Sequence, residues 1–227
     1  MTEPPEWAED PEVSGAVPTP DPTPDEIAAL LQVEHLLDQR WPETKIEPSL
    51  TRISALMDLL GSPQLAYPSI HVAGTNGKTS VARMIDALIT ALHRRTGRTT
   101  SPHLQSAVER ISIDAKPISP AQYVATYREI EPFVQMVDAQ SQAGVFGKAG
   151  PRLSKFEVLT AMAFAAFADA PVDVAVVEVG MGGRWDATNV INAPVAAITP
   201  IALDHVDYLG DDLAGIAGEK AGIITRA

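Results

Sequence analysis

Residues 71 to 80 read HVAGTNGKTS, and this stretch decides how the chain folds. A short apolar run over 68–74 ends at Gly74, and helical spacing of apolar residues begins at Lys78, which predicts a strand, a glycine loop and a helix. The loop is shorter than the common G-x-x-x-x-G-K-[ST] phosphate loop. Its backbone N–H groups and the helix N-terminus can surround a phosphate, Lys78 adds a positive charge, and Thr79 can offer a hydroxyl to Mg²⁺. We predict that the nucleotide phosphates are bound by Gly74, Thr75, Asn76, Gly77, Lys78, Thr79 and Ser80.

The composition excludes several classes of protein. The 227 residues are 45% apolar and contain no cysteine, which rules out disulfides and thiol-based metal sites or catalysis. No stretch approaches the roughly 20 apolar residues that cross a membrane, and the acidic, Pro-rich start does not resemble a signal peptide. The net charge of −12 argues against a nucleic-acid partner. We expect a cytoplasmic protein that binds neither nucleic acid nor membrane.

The ends of the sequence differ from its middle. Residues 1–26 hold eight carboxylates and no Lys or Arg, and a PTPDPTP run occupies 18–24. We predict a disordered tail over 1–22 and an ATP-binding domain over 23–227. The last residues, GIITRA, follow a helix-like stretch directly. We expect Ile223 and Ile224 to begin a buried segment, so that the chain is part of a longer protein.

The remaining patterns predict an α/β fold. Helical spacing covers 25–40, 48–60, 78–95, 120–140 and 156–168, with Ser154 and Glu157 as a capping box for the last of these. A glycine-rich loop is expected at 141–152. The apolar runs at 173–180 and 195–200 are typical of strands buried on both faces of a parallel sheet. The whole predicts a P-loop NTPase-like fold, a mainly parallel sheet flanked by helices.

Two polar residues lie where strands are predicted to end. Glu178 lies inside the apolar run VAVVEVG, where an unpaired carboxylate is costly. At the carboxyl end of a parallel strand it would face the ligand crevice and could hold Mg²⁺, although a structural salt bridge is the alternative. His205 in LDHVDYLG is either a metal ligand or a surface histidine. From the residues alone, Lys220 is an ordinary helix lysine.

Six motifs in order carry a family resemblance: HVAGTNGKTS, TSPHL followed by RISI, FEVLTAMAF, EVGMGGRWDATNV, ITPIALDHVDYLG and GEKAGII. Over about residues 45–227 the sequence resembles the folylpolyglutamate synthase/dihydrofolate synthase family of the Mur ligase superfamily. The resemblance implies the fold of the Mur ligase central domain. It also implies an ATP-dependent ligase that phosphorylates a carboxylate and lets an amine displace the phosphate.

The resemblance also implies roles for individual residues. Ser101, Glu178 and His205 match Mg²⁺ ligands of the family, and Lys220 matches a lysine that is carbamylated (N6-carboxylysine) in many relatives. Lys78, Lys220 and His205 would be the catalytic residues. The positions that match contacts with the pterin substrate are Ser154, Lys155, Phe156, Glu157, Trp185, Asp186 and Ala187.

The implied substrates are ATP, L-glutamate and either dihydropteroate or a reduced folate, in an enzyme that is a monomer. The family's C-terminal Rossmann-like domain is not in this sequence, so we expect the chain to be inactive alone. Three alternatives remain: a peptidoglycan Mur ligase, a P-loop ATPase or kinase, and a nucleotide-binding module without turnover. The segments HVAG and GMGGRWDATN favour the folate branch, without deciding between the first and later glutamate additions.

Overall fold

The computed structural model of the chain describes residues 21–42 and 47–224. The strands are β1 (Ser69–Ala73), β2 (Thr96–Thr99), β3 (Ile111–Ile113), β4 (Lys116–Pro117), β5 (Val174–Glu178) and β6 (Val195–Ile198). The helices are α1 (Pro24–Asp38), α2 (Thr51–Leu59), α3 (Lys78–Ala91), α4 (Pro120–Gln142), α5 (Lys155–Asp169), α6 (Val206–Leu209) and α7 (Leu213–Lys220). Short 3₁₀ turns lie at Pro63–Leu65, Ala107–Arg110, Ala187–Val190 and Ala221–Ile223. Apart from residues 21 and 22, the predicted disordered tail falls outside the described residues.

The six strands form one mixed sheet in the order β4-β3-β2-β5-β1-β6. β2, β5, β1 and β6 run parallel, and β3 and β4 add an antiparallel edge. The predicted fold, a mainly parallel sheet flanked by helices, is therefore confirmed. Because β1 and β5 are neighbours, the phosphate loop after β1 lies beside Glu178 at the end of β5.

Helices cover both faces of the sheet. Successive strand residues point to opposite faces, and Val176 packs with α3 whereas Val177 belongs to the main core with α1, α2, α4 and α5. That main core is built around apolar side chains of α4 and α5, and α5 is buried along most of its length. The sheet is therefore fixed on both faces, and its carboxyl edge stays open for a ligand.

Local signals in the sequence set the helix starts. Capping boxes begin α1 at Thr23, α4 at Ser119 and α5 at Ser154, the last with Glu157 as predicted. Some predicted boundaries are wrong by a few residues. The helix predicted over 78–95 ends at Ala91, because the chain turns at 92–95 to enter β2, and α4 extends two residues into the predicted 141–152 loop.

Gly74 at the start of the phosphate loop cannot be replaced without a rearrangement. Its φ is +140°, and a Cβ at this position would lie 1.8 Å from Oγ1 of Thr199. The loop and the end of β6 thus approach each other more closely than any side chain allows. A glycine is therefore needed at position 74 because of its close approach to Thr199, which lies 125 positions away along the chain.

The end of the described chain agrees only in part with expectation. Ile223 is fully buried, whereas Ile224 is 60% exposed. The expectation of a buried segment is therefore confirmed for Ile223, and for Ile224 it stays a prediction because the residues that follow lie outside the described part of the chain. Among the described residues, no helix is both long and apolar enough to span a bilayer.

Candidate active site

The phosphate loop is braced by the segment that follows β6. The N–H groups of Thr75 and Asn76 both donate to the Pro200 carbonyl, at 3.1 and 3.4 Å. The Thr75 hydroxyl donates to the Ala202 carbonyl and accepts from the Ala202 N–H, each at 3.1 Å. These contacts fix the loop, but they also occupy two of the N–H groups that the sequence suggested for phosphate.

The donors that remain at the loop belong to the start of α3. The first N–H groups of a helix have no partner within the helix, and α3 begins at Lys78 behind Gly77, whose φ is +83°. The helix dipole places a partial positive charge at the same point. Lys78 lies over the loop, with Nζ 3.4 Å from the Thr75 carbonyl. This end of the sheet is therefore built to receive an anion.

Glu178 joins the loop to its neighbouring strand. The Thr79 hydroxyl lies 2.8 and 3.1 Å from the two carboxylate oxygens of Glu178, and the Ser101 N–H donates to the second at 3.2 Å. Burial raises the pKa of Glu178, while these hydrogen bonds and the charges of Lys78 and Arg98 oppose the rise. The salt bridge considered as the alternative does not form with any basic side chain in the described ranges.

The donor set at this point fits Mg²⁺ bound together with a nucleotide. Within residues 21–42 and 47–224 no three His, Asp or Glu side chains gather into a metal cage. Mg²⁺ rarely needs one, because it usually takes one or two carboxylates, phosphate oxygens and waters. The buried Glu178 carboxylate supplies the charge, with the Thr79 hydroxyl and the Ser101 backbone N–H beside it.

His205 lies at the N-terminus of α6 with a left-handed backbone, φ +51°. Its Nε2 is 3.5 Å from a carboxylate oxygen of Asp204, and both side chains are 45% exposed. It lines the same cavity as Lys78 and Ser101. His205 therefore faces the site, in a more open position than Glu178.

Lys220 is not the solvated helix lysine that its surroundings in the sequence indicate. It is 3% exposed, and Nζ donates to the carbonyl of Gly74 at 2.8 Å. Burial lowers the pKa of Lys220, and the nearby positive charge of Lys78 lowers it further, whereas Asp204 and Asp186 oppose the shift. The last residue of α7 thus contacts the first residue of the phosphate loop.

A cavity of about 370 Å³ extends from the phosphate loop into the domain. The predicted site residues that line it are Lys78, Ser101, Ser154, Phe156, Glu157, Trp185, Asp186, Ala187 and His205. Its other lining residues are Trp41, Pro42, Glu47, Ser49, Arg52, Pro102, Gly180 and Met181. One cavity therefore connects three aromatic side chains to the cation at the start of α3.

Ion pairs organise one part of this cavity. Arg52 donates through Nε and Nη2 to one Glu157 oxygen, at 3.3 Å each, and through Nη1 to Glu47. The same Glu157 oxygen accepts the Ser154 N–H at 2.7 Å, so the capping box and the ion pair share one atom. Burial raises the pKa of Glu157, opposed mainly by Arg52. Its other oxygen, Oε1, is buried with no hydrogen-bond partner among the described residues.

Lys155 does not contribute its side chain to the cavity. Its Nζ pairs with Asp38 at 2.6 Å, and the residue is absent from the lining. In the segment 154–157, Ser154, Phe156 and Glu157 therefore line the cavity, whereas the Lys155 side chain contacts α1. At the opposite wall, Gly180 lets the ring of Phe156 pack against the backbone, because a Cβ there would lie 2.6 Å from Cζ.

Sequence reasoning missed part of this wall. Arg52 lies in α2 and Trp41 lies shortly after the end of α1, and neither part of the sequence carried a site signal. A parallel bridge between Trp41 and Ser154 joins the end of α1 to the start of α5. In the sequence, the one hint of this part of the wall was Trp41, which lies between two predicted helices. Tertiary packing places it in the cavity lining.

Comparison with known proteins identifies relatives of the chain by sequence. No protein-family model matches it. It is 87% identical over 206 residues to the dihydrofolate synthase/folylpolyglutamate synthase of Mycobacterium tuberculosis, covering 91% of this chain and 42% of that relative. Against the Bacillus subtilis protein of the same name, identity is 39% over 180 residues, covering 79% and 40%. The chain thus spans about two-fifths of the length of these curated relatives.

Solved structures agree with the sequence comparison. The chain superposes on Mycobacterium tuberculosis folylpolyglutamate synthase complexed with ADP, with a TM-score of 0.83 and 84% identity over 89% of this chain and 43% of that one. For E. coli FolC in complex with DHPP and ADP, the TM-score is 0.77 and identity 34%, over 90% and 46%. Over the residues that it shares with these proteins, the chain belongs to the dihydrofolate synthase/folylpolyglutamate synthase family, with its Mur ligase-type α/β fold.

Proposed function

We propose that this chain provides the ATP site and the pterin site of a ligase that joins L-glutamate to dihydropteroate or to a reduced folate. One observation carries the proposal: a single cavity connects an aromatic wall to Lys78 at the phosphate loop. A flat pterin ring can stack among Trp41, Phe156 and Trp185 while the carboxylate at the other end of the substrate points towards the nucleotide. Solved relatives complexed with ADP, and with DHPP and ADP, support both halves of this assignment.

The chemistry takes place in two steps. A carboxylate oxygen of the substrate attacks the γ-phosphorus of ATP, and the bond between that phosphorus and the bridging oxygen of the β-phosphate breaks. The products of this step are ADP and an acyl phosphate. The amine nitrogen of glutamate then attacks the acyl carbon, loses a proton and expels inorganic phosphate. Both steps transfer groups between substrates, so the protein needs to position them and stabilise charge rather than supply a nucleophile.

The residues at the loop suit that task. The Lys78 ammonium and the N–H groups at the start of α3 stabilise the negative charge that develops on the transferred phosphoryl group. Glu178, held by Thr79, and Ser101 would hold Mg²⁺, with His205 at the edge of the site. When bound, Mg²⁺ neutralises phosphate charge.

We also propose that Lys220 is carbamylated. Its lowered pKa favours the neutral amine, the form whose nitrogen attacks CO₂ to give a carbamate and a proton. The carbamate nitrogen keeps one hydrogen, which can still donate to the Gly74 carbonyl. Native mass spectrometry of the intact, folded chain in bicarbonate should show the added mass of one CO₂, and Lys220→Met should abolish the gain. An unmodified lysine at saturating bicarbonate would exclude this modification.

The experiment for the main proposal uses a protein of the relatives' full length that carries this chain. ADP release should require L-glutamate together with either dihydropteroate or tetrahydrofolate. One amide bond should form for each ADP released. Release of ADP without glutamate would support an ATPase instead. Turnover only with a UDP-sugar peptide and an amino acid would support a Mur-type peptide ligase, and nucleotide binding without turnover would support a binding module.

A further inference from the structure

A buried chain of three side chains connects the centre of the sheet to the cavity wall. His71 in β1 is fully buried, and its Nε2 lies 2.8 Å from the Thr188 hydroxyl. That hydroxyl lies 2.5 Å from Oδ1 of Asp186, which lines the cavity. His71 and Thr188 do not line the cavity themselves. His71 and Thr188, 117 positions apart in the sequence, therefore belong to one hydrogen-bonded line that ends at Asp186 in the cavity wall.

The hydrogen bonds along this line can run in only two directions. In the first, Nε2–H of His71 donates to Thr188, and Thr188 donates to an ionised Asp186. In the second, a protonated Asp186 donates to Thr188, and Thr188 donates to Nε2, so the His71 proton must be on Nδ1. Nδ1 is buried and has no hydrogen-bond partner within residues 21–42 and 47–224.

Two observations favour the first direction. Buried N–H groups without an acceptor are rarer than acceptors without a donor, and only the second direction leaves Nδ1–H without an acceptor. Asp186 also accepts the backbone N–H groups of Met181 and Thr188, at 2.9 and 3.0 Å, which stabilise its charged form. Burial raises the pKa of Asp186, and these bonds together with the Thr188 hydroxyl oppose the rise. Burial lowers the pKa of His71 to about 4, so its ring is neutral near pH 7.

The Asp186 carboxylate holds the cavity wall in shape. Its contact with the Met181 N–H closes the loop of residues 181–186, which presents Trp185 to the cavity. If the carboxylate rotated or took up a proton, this contact would weaken and the aromatic wall would move. Thr188, whose N–H and hydroxyl both donate to Oδ1, fixes the orientation of the carboxylate.

We propose that His71 and Thr188 are positioning residues whose one-way hydrogen bonds keep Asp186 ionised and fixed in the wall of the ligand cavity. His71 acts as a neutral Nε2–H donor from within the sheet. The ligand's identity as a pterin rests on the proposed function, whereas the direction of the hydrogen bonds does not. The two ideas can therefore fail separately.

The direct test reads the tautomer of His71 in this chain by long-range ¹H–¹⁵N correlation at pH 7, without ligand. The His71 signals are identified by their loss in His71→Gln. We expect a proton on Nε2 and a bare, pyridine-type Nδ1. A proton on Nδ1, alone or on a doubly protonated ring, would overturn the proposal.

The second test measures dihydropteroate affinity for variants that have kept the wild-type circular dichroism spectrum. Thr188→Val removes the hydroxyl with little change of shape, and we expect at least a ten-fold weaker Kd, whereas Thr188→Ser should stay within about three-fold. His71→Leu should weaken binding similarly, with rescue by His71→Gln, whose amide places a donor near the position of Nε2.

Thr96→Val is the matched control, since the Thr96 hydroxyl also donates to a buried carboxylate, that of Asp86, at 2.5 Å but away from the cavity. We expect it to leave Kd unchanged. Equal losses in Thr188→Val and Thr96→Val, or no loss in Thr188→Val, would count against the positioning role. If the wild-type chain did not bind dihydropteroate, the ligand assignment would fail, and the His71 tautomer would still decide the hydrogen-bond direction.

Discussion

The Thr79 hydroxyl lies 2.8 Å from a carboxylate oxygen of Glu178, which joins the first turn of α3 to the carboxyl end of β5. The two residues are 99 positions apart in the sequence. Parallel pairing of β1 with β5 brings them together, because it aligns the strand ends where the phosphate loop and the carboxylate lie. This pair is the part of the site best suited to a metal–phosphate complex.

Glu178→Gln should raise the Mg²⁺ concentration needed for ADP binding. The amide preserves the shape and a hydrogen bond to Thr79 but removes the negative charge. We expect Mg²⁺ binding to weaken by at least about 1.4 kcal/mol, which corresponds to a ten-fold higher Mg²⁺ requirement. Titration of Mg²⁺ at fixed ADP, followed by calorimetry, measures this. An unchanged requirement would mean that Glu178 is not a metal ligand.

Lys78→Ala should weaken nucleotide binding by about 10- to 100-fold, because a charge-assisted hydrogen bond is worth about 1.5–3 kcal/mol. Lys116→Ala is the control, since Lys116 is an exposed lysine on β4, away from the loop. Both affinities can be measured by ADP titration at one salt concentration. Equal effects of the two variants would show only a general charge effect.

Gly74→Ala should destabilise the fold by several kcal/mol, since it combines a strained φ with a clash against Thr199. For a domain of this size we expect Tm to fall by about 5 °C or more. Gly218→Ala in α7 meets no atom within 4 Å, and should raise stability by about 0.5–1 kcal/mol, since alanine favours a helix interior. Thermal unfolding of the two variants compares the effect of an added methyl group where it meets Thr199 with its effect where it meets no atom. A neutral Gly74→Ala would disprove the close approach.

Arg52→Met should destabilise the chain by about 3–5 kcal/mol, because it leaves the buried Glu157 carboxylate without its cation. Adding Glu157→Gln to the same chain removes the unpaired charge and should recover part of the loss. Urea unfolding of the wild type, both single variants and the double variant gives the coupling energy. Additive losses would show that the two side chains act independently.

Stability should fall as the pH is lowered from about 6.5 to about 4 because of His71. Its folded-state pKa of about 4 lies below the ordinary value of 6.5, so in this window the unfolded chain binds a proton that the folded chain does not. The contribution is complete above pH 6.5, and its loss amounts to about 3 kcal/mol. Urea unfolding at pH 7 and pH 4 measures it, and His71→Gln should lose less than the wild type. Parallel losses in both proteins would assign the change to other groups.

Local patterns were readable from the sequence alone. The strand, glycine loop and helix around Gly77, and the capping boxes at Ser119 and Ser154, depend on residues no more than four apart, whose spacing the sequence displays directly. The β-branched run that ends at Glu178 predicted a buried parallel strand for the same reason. Boundaries were less accurate, as at Ala91, because the connection to β2 decides where α3 ends.

The tertiary structure decided which further residues share the cavity with those that the family resemblance had named. Arg52 and Trp41 enter it because α1 and α2 pack beside α5, while the Lys155 side chain leaves it for Asp38. From the residues, Lys220 was an ordinary helix lysine, and only the resemblance singled it out, yet it contacts Gly74 across 146 positions of sequence. Such contacts depend on how elements pack, and helical or strand periodicity records only which face of an element is apolar. The sequence by itself therefore determined the elements and the glycine loop, whereas packing determined the cavity wall and the buried line from His71 to Asp186.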